Sequence, residues 1–167
     1  MSTTSPSDHS PEVTVTHMAT SAEARKFKEL NEQWIVDLFT LEPKDEMLLD
    51  DPQGTMVEPG GRVLIARTNG DVVGCVALLA AGDGVFELSK MAVSPTLRGH
   101  GVGRAILLAA INAAKDAGAA SLFLVTNTKL ANAVYLYESV GFRHVPPETL
   151  GPVPYKRADV FMEYRLR

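Results

Sequence analysis

Apolar and polar positions alternate in short stretches of this chain and recur at helical spacing in others. In "EVTVTHMA", Val13 and Val15 alternate with polar residues, the period of a half-buried strand. Phe27, Leu30, Trp34, Ile35 and Leu38 then recur at helical spacing, behind Ser21 as the expected N-cap. "PKDEMLLDD" predicts a second, short helix with Pro43 in its first turn. "DPQGTMVEPGG" carries turn residues. Two apolar runs flank Asn69-Gly70-Asp71, a strong hairpin signal, and a third follows Gly82-Asp83-Gly84. These runs predict a three-strand antiparallel meander over about 62–68, 72–80 and 85–93. Pro95 ends it. A helix over about 101–117 closes at Gly118, and "SLFLVT" reads as a buried strand over 121–126. "LANAVYLYESVG" is a further helix ending at Gly141. A short strand "FRHV", a proline-rich loop "PPETLGPVPYKR" and a last strand "ADVFMEYRL" complete the chain. The order β-α-α-β-β-β-α-β-α-β-β describes one α/β domain with a mixed sheet.

Length and composition narrow this picture. With 167 residues the chain is expected to be one domain, over 12–167, preceded by a polar, poorly ordered tail over 1–11. The formal charge of −4 gives no support to nucleic-acid binding, but it leaves a local anion pocket open. Cys75 is the single cysteine, so no internal disulfide framework is expected and a reducing cytoplasm is the simplest home. Within "VVGCVALLA" it reads as a small core residue. The four histidines, at 9, 17, 100 and 144, show no ligand spacing, so no metal is expected. No apolar run approaches the roughly 18 residues of a membrane span, and the N-terminus lacks the pattern of a secretion signal.

The chemistry concentrates in "SPTLRGHGVGRAILLAAINAAKDAG". Gly99, Gly101 and Gly103 alternate with Arg98, His100, Val102 and Arg104 just where a helix begins. Helix N-termini present unpaired backbone N–H groups and a partial positive charge, and glycines let a phosphate approach them. The pattern reads as an anion site suited to a pyrophosphate; the bland alternative is a turn that only caps the helix. It is not a Walker loop, because Gly103 is followed by Arg104 rather than Lys-Ser/Thr. It is not a dinucleotide fingerprint either, being Gly-x-Gly-x-Gly after an antiparallel meander.

"MAVSPTLRGHGVGRAIL" resembles motif A of the GNAT superfamily of acetyl-CoA-dependent N-acetyltransferases, with Arg98-Gly99-His100-Gly101-Val102-Gly103 matching its Arg/Gln-x-x-Gly-x-Gly/Ala signature. "ANAVYLYESVGF" resembles motif B, with Leu136-Tyr137-Glu138 and Gly141-Phe142 at the usual separation. The likeness runs from about Arg62 to the end. It implies the GNAT fold: a mixed, mostly antiparallel sheet flanked by helices, with splayed central strands. It implies acetyl-CoA as co-substrate, its pyrophosphate on the backbone from Gly99 to Arg104. The backbone of Met91, Ala92 and Val93 would serve the pantetheine arm and the oxyanion. Where many members carry an asparagine seven residues before the motif B tyrosine, this chain has Leu130. Asn127 or Asn132 takes that part, and the Thr-Asn at the strand end favours Asn127.

The expected activity is acetyl transfer to a primary amine of a small molecule or peptide. Tyr137 is the candidate acid for the departing thiolate; otherwise it is a packed helix tyrosine. Glu87, in "VFELSKMAV", is the candidate base. It is four residues before Met91, which in a regular strand puts both on one face. It also matches the catalytic glutamate of the superfamily's histone acetyltransferases. It could instead bind a cationic acceptor, or pair with Lys90. Ser89 shares that face. His100 would take part through its backbone rather than its ring. Trp34 and Phe39 either wall an acceptor pocket or belong to the core, and Tyr155, Lys156 and Arg157 either contact acceptor or form an inert loop. Two other classes of function compete: an acyl-CoA sensor that transfers nothing, and an interaction domain that binds no CoA. Helical faces could pair into a homodimer.

Overall fold

The computed structural model describes residues 12–167, so the expected tail over 1–11 lies outside the described residues. Strands β1 (Thr14–His17), β2 (Arg62–Thr68), β3 (Asp71–Ala80), β4 (Val85–Val93), β5 (Ser121–Thr126), β6 (Arg143–His144) and β7 (Val160–Arg165) form one seven-stranded sheet in the order β1-β2-β3-β4-β5-β7-β6. All neighbours are antiparallel except β4 and β5. Helices α1 (Ser21–Leu38) and α2 (Pro43–Asp50) cover one face; α3 (Val102–Asp116) and α4 (Ala131–Val140) cover the other. The element order matches the one the patterning predicts. A π-helical turn at Gln53–Val57 and 3₁₀ turns at Pro95–Leu97 and Pro147–Thr149 are added inside predicted loops.

Two apolar clusters hold the layers together. Phe27, Ile35, Leu48, Leu49, Met56, Ile65 and Cys75 close the α1–α2 side, and Leu78, Ile106, Leu107, Ala110, Leu122, Leu124 and Met162 close the α3–α4 side. Cys75 is fully buried, and burial pushes its thiol up to about 12, so it behaves as a core residue and not as a nucleophile.

Local chemistry sets the element ends. The N-cap of α1 is Thr20, not Ser21: its hydroxyl accepts from Glu23 N at 3.1 Å while Glu23 Oε1 accepts from Thr20 N at 3.0 Å. This reciprocal pair outcompetes a lone serine one residue later. The turn between β2 and β3 has positive φ at both Asn69 and Gly70, as a tight hairpin requires.

One irregularity overturns a prediction. Across β3 and β4, Cys75 pairs with Ala92 and Ala77 with Ser89, so Lys90 and Met91 together face Val76 alone. This is a β-bulge, with Lys90 at φ 55°. It resets the alternation. Phe86 and Leu88 point to the α3 side, and past the bulge Met91 and Val93 pack there too, while Ala92 joins the α1 side. Glu87 therefore faces the α1–α2 side, opposite to Met91.

Candidate active site

β4 and β5 pair only from Val85↔Ser121 to Glu87↔Phe123. β5 continues to Thr126 on β7, and β4 continues to Val93 on β3, so the two part company beyond Glu87. A cleft of about 870 Å³ passes through this gap and reaches both faces of the sheet. Its lining includes Gly99, Gly101, Gly103, Arg98 and Arg104 at one end and Trp34, Phe39, Glu87, Tyr155 and Arg157 at the other.

The glycine end is made of main chain. Gly99 and Gly101 have φ of +83° and +81°, a conformation that suits glycine, and a Cβ on either would meet no protein atom. The space above them is open. Gly101 is the N-cap of α3, with no side chain satisfying the first N–H groups. Arg98 is exposed; Arg104 reaches Ser139 Oγ at 3.3 Å. His100 is exposed and lies outside the cleft lining; the side chain of Val102 is buried in the core, which leaves only its backbone for a ligand.

Beside the gap, Ser94 N donates to Val73 O at 2.7 Å and Ala92 pairs with Cys75, so the polar main-chain groups of both face β3. By the alternation of an extended strand, those of Val93 and Met91 turn to the unpaired side. Ala92, expected with them, does not. The asparagines also divide differently from expectation. Asn127 Nδ2 donates to Arg157 O at 2.6 Å and its Oδ1 accepts from Lys129 N at 2.8 Å, so the favoured amide is spent on holding a loop. Asn132 is exposed on the first turn of α4, lines the cleft and makes no side-chain hydrogen bond among the described residues.

Tyr137 is buried in α4, packs edge-on against Phe142 at 5.8 Å and lines the cleft. Its hydroxyl has no hydrogen-bond partner among the described residues, and burial raises its pKa, so it stays protonated. Glu87 also lines the cleft. Its carboxylate makes neither a hydrogen bond nor an ion pair among the described residues, and burial raises its pKa against the pull of Lys90 and Lys44. The alternative reading, a pair with Lys90, is not formed. Lys90 instead donates to Asp45 Oδ1 at 2.6 Å and to Tyr155 Oη at 3.1 Å. Ser89 lines the cleft next to them.

Asp45 is a residue the sequence did not single out. Completely buried, it accepts from Lys90, from both terminal nitrogens of Arg157 at 2.7 and 2.6 Å, and from Glu42 N at 2.9 Å. Burial would raise its pKa, but Arg157 and Lys90 outweigh that and hold it at about 2. In "PKDEMLLDD" the only local signal it carries is its position three residues past Glu42, which suits a capping pair. The Arg157 guanidinium lies 4.6 Å from the Tyr155 ring and 5.8 Å from those of Trp34 and Phe39. Trp34 and Phe39, edge-on at 6.4 Å, thus serve as cleft wall while also packing on the core. Lys156 is exposed and outside the lining; its backbone donates to Glu42 Oε1 at 2.9 Å.

Comparison with known proteins agrees with this architecture. The profile of the Acetyltransferase (GNAT) family matches residues 23–142. The chain is similar to an IAA acetyltransferase of Azospirillum brasilense, 36% identical over 110 residues, which span 65% of this chain and 71% of that protein. Its fold is similar to that of a GNAT acetyltransferase from Staphylococcus aureus, with a TM-score of 0.84, 20% identity and coverage of 93% and 100% of the two chains. A Salmonella typhimurium structure described as an acetyltransferase with its cofactor acetyl-CoA superimposes with a TM-score of 0.68 at 22% identity, over 93% and 94% of the chains. The chain belongs to the GNAT acetyltransferase family and is an acetyltransferase.

Proposed function

We propose that the protein, through a catalytic domain over 12–167, transfers the acetyl group of acetyl-CoA directly to a primary amine of a small molecule or peptide. The observation that carries this is the parting of β4 from β5, which brings a bare main-chain cradle, an unpaired Glu87 and an unbonded Tyr137 hydroxyl onto one cleft. The residues fit the co-substrate. Gly99 and Gly101 leave open space over the start of α3, where N–H groups and the flanking Arg98 and Arg104 suit a diphosphate. The unpaired main chain of Met91 and Val93 suits an extended amide-bearing arm laid along it like an added strand. Asn132 supplies the side-chain amide that Asn127 has committed elsewhere.

Acetyl-CoA, when bound, supplies an activated acyl group. Glu87 takes a proton from the incoming ammonium, directly or through water, leaving a neutral amine to form the C–N bond as the C–S bond breaks. Main-chain donors beside the gap stabilise the carbonyl oxygen as it gains charge. Tyr137, kept protonated by burial, gives its proton to the departing sulfur, and the second proton that the nitrogen sheds on becoming an amide restores the phenol. Trp34, Phe39, Tyr155 and Arg157 bound the acceptor's side of the cleft. The single buried thiol and the absence, among the described residues, of a helix able to cross a membrane suit a protein working in the cytoplasm. An assay of free CoA thiol across amines, peptides and arylamines tests the proposal. Turnover with at least one amine, lost in E87Q and reduced in Y137F, is the expected result; equal rates in all three proteins would remove both roles.

A further inference from the structure

Among the described residues, three other than glycine have positive φ: Asn69, Asp83 and Lys90. The first two are turn residues of types that tolerate this conformation. Lys90 lies inside a strand and has no such excuse, so the surrounding structure must impose it. Both ends of the residue are held. Its side chain is 2% exposed and its ammonium is fixed by Asp45 and Tyr155. Its carbonyl oxygen accepts from the Cys75 thiol at 3.6 Å, and that sulfur accepts from Asn31 Nδ2 at 3.4 Å. Asp45 is in turn pinned by the forked Arg157 and by Glu42 N. A buried ion pair adds little net stability over an apolar replacement, so a conformational role accounts better for its presence at the bulge.

We infer that Asp45 is a positioning residue for the transfer: through Lys90 it holds the left-handed bulge that turns the main chain of Met91 and Val93 into the gap. The inference rests on the reading of that gap as the seat of the CoA arm. Its consequence is a mechanical link. The ion pair that braces the acceptor side, through Arg157 and Tyr155, also sets the backbone that meets the thioester.

Glycine and alanine at position 90 separate this from simple loss of a charge, because both lack the ammonium and only glycine adopts φ 55° without strain. K90A is expected to raise the CoA dissociation constant and the acetyl-CoA KM about tenfold relative to K90G, the left-handed penalty of a residue with a Cβ. D45N is expected to weaken CoA binding about as much as K90A, with D45N/K90G recovering most of the loss and D45N/K90M none of it. Calorimetry with CoA gives the affinities, and thermal melts show which variants fold. Equal affinities for K90A and K90G, or a folded D45N with wild-type affinity and kcat, would overturn the inference while leaving the proposed function standing. Failure of the wild-type protein to bind CoA would instead overturn the reading on which it rests.

Discussion

The two ends of the cleft are built from opposite materials. The glycine end is exposed and nearly free of side chains: Gly99 and Gly101 have nothing above them, and what they offer is N–H groups at the start of α3. The other end, proposed above for the acceptor, is crowded and ionic, with Lys90 and Tyr155 buried, Asp45 buried behind them and Arg157 half-buried among three aromatic rings. One end suits a ligand part that is the same in every reaction, a diphosphate. The other suits a part that varies, since its shape is set by side chains from α1, β4 and the loop before β7. Glu87 and Tyr137 stand between them, on opposite faces of the opened sheet.

Breaking the chemistry between the ends carries the largest expected effect. E87Q keeps the shape and removes the base, so kcat/KM falls by about 10³, within the usual span for general base catalysis. The carboxyl must be ionised to accept a proton, and burial raises its pKa above the ordinary value. The wild-type rate therefore climbs with pH through a limb displaced upward from 4.5, and a pH profile of E87Q lacks that limb. Y137F leaves the sulfur without its donor and lowers kcat by about 10² with CoA affinity little changed, as stopped-turnover thiol assays can measure.

The acceptor end is next tested by acid. Asp45 has a folded-state pKa of about 2 against an ordinary 3.8, so its ion pairs contribute stability that is present above pH 3.8 and is lost as pH falls through 2. The difference is about 2 kcal/mol. Denaturant titrations from pH 5 down to pH 2 should show the stability gap between wild type and D45N shrinking by that amount; a constant gap would place the ionised carboxylate elsewhere.

The glycine end is tested by charge at constant strain. Gly101→Asp and Gly101→Asn both add a side chain at φ +81°, and both residue types tolerate that region to a similar degree. Only the first adds a negative charge. CoA should bind G101D about tenfold more weakly than G101N at low salt, with the gap closing as salt rises. Equal affinities would detach the diphosphate from this loop.

The two ends were also unequally legible beforehand. A run of alternating glycines at a helix start is readable locally, since backbone conformation and the exposure of N–H groups depend on neighbours in the chain. The meander, the helix periods and the turn at Asn69-Gly70 were legible for the same reason. The bulge at Lys90 had no local signal: "VFELSKMAV" alternates as a regular strand would, and its lysine is held left-handed by groups 45 and 65 residues away in sequence. That is why Glu87 and Met91 were expected on one face and lie on two. Asn127 shows the same limit, because the Arg157 carbonyl that occupies its amide is 30 residues distant.

Sequence alone thus determined the order and kind of the elements and the place of the glycine loop at the start of α3, and it named Glu87 and Tyr137 as the candidates for proton transfer. Each of these follows from propensity, periodicity or functional-group chemistry within a few residues. Tertiary structure decided which face Glu87 occupies, which asparagine makes no side-chain hydrogen bond among the described residues, and that Asp45 meets Lys90 and Arg157. Those outcomes depend on buried charges finding partners across the fold, and desolvation makes such partnering obligatory without fixing in advance which residues will meet.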